Sequence, residues 1–155
     1  MDAHEIAAAH LDSIHSIGPL YYPAPVVSDW GARVTSDIYI DAMVSGEVFF
    51  IAIGELGGQS EVLGFSSHRI DEEQHGVAVY VRGRAARSGI GSALLRSAEA
   101  SAVNAGASTI HIDASLAAVE FYKANGFEEV GRGEHRLWSG RPMPCVFMRK
   151  DLEVP

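Results

Sequence analysis

The feature that most constrains the fold is a glycine-containing turn at residues 87–92, which joins an apolar alternating segment to a helical one. Val77, Val79 and Val81 alternate before the turn, as in a half-buried strand, and a helix is predicted from about Gly89 to Ala105. The first amides of a helix have no intrahelical acceptor, and the helix dipole adds positive charge there, so the turn is a candidate anion site. A plain strand-to-helix turn is the competing interpretation.

Two familiar phosphate-binding motifs do not fit this turn. The lysine and the Ser/Thr of a Walker loop are absent, and Leu94 stands where a dinucleotide fingerprint would place its third glycine. If the turn binds an anion, it therefore does so in another structural context.

Composition restricts the class of protein. With 155 residues, 47% hydrophobic and 21% charged, we expect a single globular domain over residues 1–155. The single cysteine, Cys145, excludes an internal disulfide, suits a reducing compartment and is interpreted as a strand residue.

The longest apolar run, Val48 to Ile53, is too short to span a membrane and the amino terminus has no basic region, so we expect a cytoplasmic protein. A net charge of −8 argues against nucleic acid or a membrane as partner and favours a cationic substrate such as an amine.

The hydrophobic periodicity predicts four helices and six strands. The predicted helices are residues 2–17 ending at Gly18-Pro19, a second from a Thr35 or Ser36 cap to Ser45-Gly46, a third at Gly89–Ala105 and a fourth at Leu116–Asn125. The predicted strands are Val48–Leu56, Glu61–His68, Gly76–Val81, Thr109–Ala114, Phe127–Gly133 and Pro144–Asp151, the first two joined by a turn at residues 57–60. This order describes a mixed sheet in a three-layer α+β domain.

Three sequence blocks carry a resemblance to a known family. In the turn, Gly89 and Gly91 fill the two glycine positions of an Arg/Gln-x-x-Gly-x-Gly/Ala signature, although Ala86 stands at its first position. Residues 113–127 contain Phe121-Tyr122 followed by Gly126-Phe127, and Val79 to Val81 form the strand before the turn. Together with the order of elements, the blocks resemble the GCN5-related N-acetyltransferase (GNAT) superfamily over nearly the whole chain. The resemblance implies a GNAT fold with a central mixed, mostly antiparallel sheet of about six to seven strands flanked by four helices.

The resemblance also implies a coenzyme site. Acetyl-CoA would be the co-substrate, and no metal is implied. Residues 87–92 would cradle the pyrophosphate, helped by Arg84 or Arg87, while the strand before the turn would pair with the pantetheine arm and direct one N–H at the thioester carbonyl. Ser115 would bond the pantetheine arm or cap the following helix, and both roles are open. The implied coenzyme-binding residues are Val79, Tyr80, Val81, Arg87, Ser88, Gly89, Ile90, Gly91, Ser92, Ser115 and Tyr122.

The resemblance implies two catalytic residues. Tyr122 would be the general acid that protonates the leaving thiolate, and the competing interpretation is a core tyrosine. His75 occupies the position six residues before Val81, where many family members have a glutamate, and would deprotonate the amine directly or through water. Glu72, Glu73 or water alone are the alternatives for the base.

The expected function is transfer of an acetyl group from acetyl-CoA to an amine of a small molecule or peptide, by direct attack in a ternary complex without acylation of Cys145. The acceptor pocket is expected between the first two helices and the loop from Arg132 to Met143. Two roles are open for the arginines of this loop: binding a carboxylate of the acceptor, or simple solvation at the surface. Alternatives are a non-catalytic acyl-CoA-binding or regulatory domain and a nucleotide-binding module. The resemblance also allows a homodimer.

His111 and Asp113 are expected to form a buried hydrogen-bonded pair rather than part of a zinc site.

Overall fold

A mixed six-stranded sheet lies at the centre of residues 3–153, the part of the chain that the computed structural model describes. The predicted helix start at residue 2 and both ends of the predicted 1–155 domain lie outside this range. The strands are β1 (Val48–Leu56), β2 (Gln59–Asp71), β3 (Gln74–Val81), β4 (Thr109–Ser115), β5 (Glu128–Arg136) and β6 (Pro142–Asp151). Their order is β1-β2-β3-β4-β6-β5, and every neighbouring pair is antiparallel except β3 and β4.

Helices cover both faces of the sheet, which confirms the predicted three-layer α+β fold. The α-helices within residues 3–153 are α1 (Ala3–Ile17), α2 (Ala24–Gly31), α3 (Ser36–Val44), α4 (Ile90–Asn104) and α5 (Val119–Ala124). Helices α1 to α3 pack with β1 to β3 around a core that contains Ile6 and Phe65, whereas α4 and α5 pack on the other face around Leu95 and Ile110. None of the helices in this part of the chain is long and apolar enough to cross a membrane.

The helices differ from the prediction in two places. Helix α2 lies where the sequence indicates only a Pro- and Tyr-containing link; Pro23 is its N-cap and a second proline lies in its first turn, where no amide donor is needed. Helix α5 begins at Val119 rather than Leu116, because residues 116–118 form a turn closed by a bond from the Ala118 N–H to the Ser115 carbonyl. The predicted cap by Ser115 is therefore wrong. Thr35 is the N-cap of α3 as predicted, but its side chain makes no capping hydrogen bond.

The first hairpin is tighter than predicted. Leu56 pairs with Gln59, so only Gly57 and Gly58 form the turn, and Gln59 already belongs to β2. Both glycines have positive φ, 63° and 82°, as the two central residues of a hairpin turn that matches the strand twist require.

A cleft opens where β3 and β4 separate. These two strands pair only at His75 with Ile110 and at Gly76 with His111, whereas β3 stays paired with β2 along its whole length to Val81. The edge of residues 77–81 that faces β4 therefore has no strand partner. This edge positions the candidate site.

Candidate active site

The glycine-containing turn has the geometry of an anion site. Gly89 is the N-cap of α4 in the left-handed conformation, with φ of 85°, and Arg87 also has a positive φ of 61°. The first intrahelical hydrogen bond runs from the Ala93 N–H to the Gly89 carbonyl over 3.1 Å. The amides of residues 90–92 consequently have no acceptor within the helix, and the helix dipole is positive at this end. A phosphate group fits these donors.

A cavity of about 770 Å³ extends from this turn to the cleft between β3 and β4. Eight of the predicted coenzyme-binding residues line it: Val79, Tyr80, Val81, Arg87, Gly89, Gly91, Ser92 and Ser115. Ser88 and Ile90 belong to the same turn without lining the cavity, and the Ser88 hydroxyl donates to the Ala85 carbonyl. The cavity wall also includes Leu20, Tyr21, Trp30 and Phe121, which the sequence analysis does not predict.

The two candidate arginines of the turn have different environments. The Arg84 guanidinium lies 3.5 Å from the Glu61 carboxylate and does not line the cavity, so it is a surface ion pair. Arg87 lines the cavity and makes no ion pair with any residue from 3 to 153. Ala86 lines the cavity too, so the position where the family usually has arginine or glutamine here offers only a methyl group.

Tyr122 lies in the cleft itself. It is 5% exposed and lines a second cavity of about 240 Å³ that shares Val79, Tyr80 and Ser115 with the larger one. Burial raises the pKa of Tyr122 above its usual value, with a further increase from Tyr80, and a hydrogen bond from the backbone N–H of Val79 opposes this increase. The phenol is therefore fully protonated at neutral pH and is a proton donor. The Val79 N–H points into the cleft at the same place.

His75 lies away from this group of residues, near the start of β3, where β3 is still paired with β4. Its Nδ1 lies 2.9 Å from Nε2 of His68, whose Nδ1 lies 2.9 Å from the Ser101 hydroxyl of α4. The two imidazole rings are stacked, with an interplanar angle of 8°. His75 lines neither cavity, and the structure does not bring it together with Tyr122. The alternative bases Glu72 and Glu73 form the β2–β3 turn and also line neither cavity.

The β4–β6 side of the cleft carries Asp113 and Cys145. Cys145 is a buried residue of β6, in agreement with the prediction, and burial raises the pKa of its thiol, with smaller contributions from Asp113 and Glu134. The prediction of a buried His111–Asp113 pair is wrong, because Asp113 is exposed on the open face of β4. Within residues 3–153, no group of three or more His, Cys, Asp or Glu side chains could hold a metal ion.

The arginines of the β5–β6 region are bonded within the chain. Arg132 pairs with Glu129 over 2.8 Å, Arg141 pairs with Asp29 over 2.7 Å, and Arg136 donates to the Gly140 carbonyl. None of them lines either cavity. The smaller cavity is instead bordered by Arg69, which the sequence analysis does not consider because its position depends on strand pairing.

Sequence comparison now gives this geometry a family context. Residues 29–145 match a family profile described as "Acetyltransferase (GNAT) domain". The chain belongs to the GNAT acetyltransferases. This match agrees with a separated strand pair, a glycine-containing helix start and a buried tyrosine at one cleft. The sequence matches none of the curated proteins with which it was compared.

Solved structures support the GNAT assignment. A GCN5-related N-acetyltransferase described as a class-II aminotransferase from Rhodopseudomonas palustris is 25% identical, with a TM-score of 0.82 over 97% of this chain and 90% of that chain. A ribosomal-protein-alanine N-acetyltransferase from Brucella melitensis is 25% identical, with a TM-score of 0.66 over 97% and 94%. The PaiA N-acetyltransferase from Thermoplasma acidophilum, solved in complex with coenzyme A, shares the fold at 16% identity, with a TM-score of 0.73 over 97% and 93%.

Proposed function

We propose that this GNAT protein transfers an acetyl group from acetyl-CoA to an amine of a small molecule or peptide, by direct attack in a ternary complex. The observation that carries the proposal is the meeting of the Tyr122 hydroxyl and the Val79 N–H in the cleft, at the end of a cavity that begins at the amides of residues 90–92. The turn would hold the pyrophosphate, and the free edge of β3 would hold the pantetheine arm.

The proposed chemistry assigns one task to each group at the cleft. The amine nitrogen forms a bond to the thioester carbon as the carbon–sulfur bond breaks, giving an amide and a thiol. With the thioester bound, the Val79 N–H exchanges its bond to the Tyr122 hydroxyl for one to the carbonyl oxygen, on which negative charge develops. Tyr122 donates its proton to the departing sulfur, the amine releases one proton to solvent, and solvent returns one proton to the tyrosinate, so no net proton is gained or lost. Because its pKa is raised, the Tyr122 phenol is in the protonated form that this step needs.

The position of Cys145 favours direct transfer over an acyl-enzyme. Cys145 is buried, and burial raises the pKa of its thiol, so little thiolate exists at neutral pH. A buried single cysteine also suits the reducing cytoplasm, which the proposal takes as the location of the enzyme.

The proposal gives the amine proton to solvent rather than to His75. A base must lie within hydrogen-bonding reach of the amine, directly or through one water. The His75 imidazole is bonded to His68 where β3 is still paired with β4, whereas the reacting groups lie in the cleft beyond that pairing. Replacement of His75 by alanine should therefore leave the acid limb of the pH–rate profile in place.

The test is release of free thiol from acetyl-CoA in the presence of a panel of amines, amino acids, polyamines, aminoglycosides and peptide N-termini. For the Tyr122→Phe variant we expect kcat to fall by about 10²- to 10⁴-fold, the usual contribution of a general acid, with KM for acetyl-CoA nearly unchanged. The Phe ring keeps the edge-to-face contacts with Phe121 and Phe127, whose centroids lie 5.1 Å and 5.3 Å away, so the fold should be retained.

Tyr39→Phe is the matched control for this experiment. Tyr39 is also a buried tyrosine with a raised pKa, but it lines neither cavity and should leave kcat unchanged. Tight acetyl-CoA binding without thiol release from any amine would instead support a non-catalytic acyl-CoA-binding domain. Binding of ATP or NAD without binding of acetyl-CoA would support a nucleotide-binding module.

A further inference from the structure

We infer that the acceptor is an amine that carries a carboxylate several bonds from the reacting nitrogen, and that Arg69 binds this carboxylate beside Tyr122. The inference rests on the acetyltransferase function proposed above. It concerns the smaller cavity of about 240 Å³, whose volume is below the roughly 300–1,000 Å³ of typical drug-sized sites and therefore suits a small acceptor.

The Arg69 side chain is directed into the cleft by the residue opposite to it. Arg69 of β2 pairs with Gly76 of β3, and a Cβ at Gly76 would lie 3.7 Å from both Cζ and Nε of Arg69. The guanidinium therefore lies across the bare backbone of β3, where it reaches the cavity that contains Tyr122. Its charge lowers the pKa of Tyr122 and of Tyr80, against the larger opposite effect of burial, so it is electrostatically coupled to the reaction centre.

Arg69 also lacks a protein partner. It forms no hydrogen bond or ion pair with another residue in the range 3–153, whereas Arg132, Arg136 and Arg141 are each bonded within the chain. Arg69 is also exposed, so its guanidinium is accessible to a ligand that enters the cavity. Its planar guanidinium can hold a carboxylate with two parallel hydrogen bonds, a geometry that lysine does not offer.

The position of Arg69 excludes a role at the pyrophosphate. Gly76, beneath the guanidinium, and Val81, before the glycine turn, are five residues apart on β3. At a rise of about 3.3 Å per residue, these positions are roughly 16 Å apart. Val79 is only three residues from Gly76, or about 10 Å. Arg69 is therefore on the acceptor side of the cleft, at a distance that separates the bound carboxylate from the reacting amine by several bonds.

The opposite side of the same cavity carries a negative charge. Asp113 of β4 lines the cavity and is exposed, and it faces the cleft from the strand that separates from β3. Arg69 and Asp113 thus present charges of opposite sign to one small volume. This arrangement complements the carboxylate and ammonium groups of an amino acid such as lysine, whose side-chain amine could then reach Val79 and Tyr122.

The test compares lysine with cadaverine, which is the same diamine without the carboxylate. Thiol release should show a kcat/KM about 10- to 100-fold higher for lysine, the range expected for charge-assisted hydrogen bonds. Arg69→Ala should remove this preference by raising KM for lysine and should leave cadaverine unchanged, and Arg69→Lys should restore only part of it. Asp113→Asn should weaken both substrates. Arg132→Ala, which removes an exposed arginine that lines neither cavity, is the matched control.

Calorimetric titration of lysine and cadaverine into the coenzyme A complex separates this inference from the proposed function. Carboxylate-dependent binding that Arg69→Ala abolishes, without thiol release, would support the binding role and contradict acetyl transfer. Equal kcat/KM for the two acceptors, a preference for cadaverine, or a lysine preference that survives Arg69→Ala would overturn the inference while acetyl transfer stands. Absence of lysine binding would overturn it as well.

Discussion

His10 on α1 should make the stability of this protein depend on pH in the mildly acidic range. Its imidazole packs among Tyr39, Phe65 and Tyr80, with ring centroids 6.1, 5.7 and 3.9 Å away, and its Nδ1 is hydrogen-bonded to the Tyr39 hydroxyl. Its Nε2 is buried with no hydrogen-bond partner among residues 3–153. Burial lowers the pKa of His10 from 6.5 to about 3. The folded protein therefore keeps His10 neutral at a pH where the unfolded chain binds a proton.

The sign and size of the effect follow from proton linkage. Between the folded and unfolded pKa values, the unfolded state holds one more proton, so the free energy of unfolding falls by about 1.36 kcal/mol for each pH unit of acidification. The contribution of His10 is fully present above pH 6.5 and is lost progressively as the pH falls toward 3. Between pH 7 and pH 5, this one group should lower the free energy of unfolding by about 2 kcal/mol.

Urea unfolding at pH 7 and pH 5 measures this loss when the wild type is compared with His10→Asn. The asparagine keeps an acceptor for the Tyr39 hydroxyl but does not titrate, so the difference between the two proteins cancels the other ionisable groups. The variant should lose about 2 kcal/mol less than the wild type on acidification. His15→Asn, which changes an exposed histidine on the same helix, is the matched control. Equal losses in wild type and His10→Asn would refute the reasoning.

Two further predictions concern packing and coenzyme affinity. A Cβ at Gly133 would lie 2.6 Å from the Phe147 ring and one at Gly131 would lie 3.6 Å from it, so Gly133→Ala should lower the free energy of unfolding by about 1–3 kcal/mol while Gly131→Ala costs little. Denaturant titration checks both, and equal effects would contradict the packing argument. Ala86→Arg should strengthen acetyl-CoA binding about tenfold by one charge-assisted hydrogen bond, measured by calorimetry, and an unchanged Kd would remove the turn from the pyrophosphate site.

Local signals in the sequence predict most of the elements. The Gly18-Pro19 pair marks the end of α1, the strands follow from period-two alternation, and the glycine positions place the start of α4. Helix α2 is missed because its first residues include prolines, which favour a link when judged along the chain but are tolerated in a first helical turn. The Ser115 cap fails for a related reason, since a turn precedes α5 and moves the helix start to Val119.

In the candidate site too, some residues are predicted from local sequence patterns and others are placed only by the fold. Residues 79–81, 87–92 and Tyr122 are found from the sequence because each belongs to a continuous block with its own pattern, and the structure brings most of them to one cavity. His75 is predicted by counting six residues back along β3 from Val81, and it projects to the same face as Val81, toward α4 and His68. It nevertheless lies where β3 is still paired with β4, so it does not reach the cleft.

The sequence by itself thus determined most of the elements, the glycine turn and the acetyltransferase family, because these depend on propensity, periodicity and motifs within short stretches. Only the tertiary structure decided the shape and charge of the cleft. The separation of β3 from β4 depends on which residues pair across the sheet, and the burial that raises the pKa of Tyr122 depends on packing between distant segments. Arg69 reaches the same cavity only because register sets it opposite Gly76, whose missing side chain leaves room for the guanidinium.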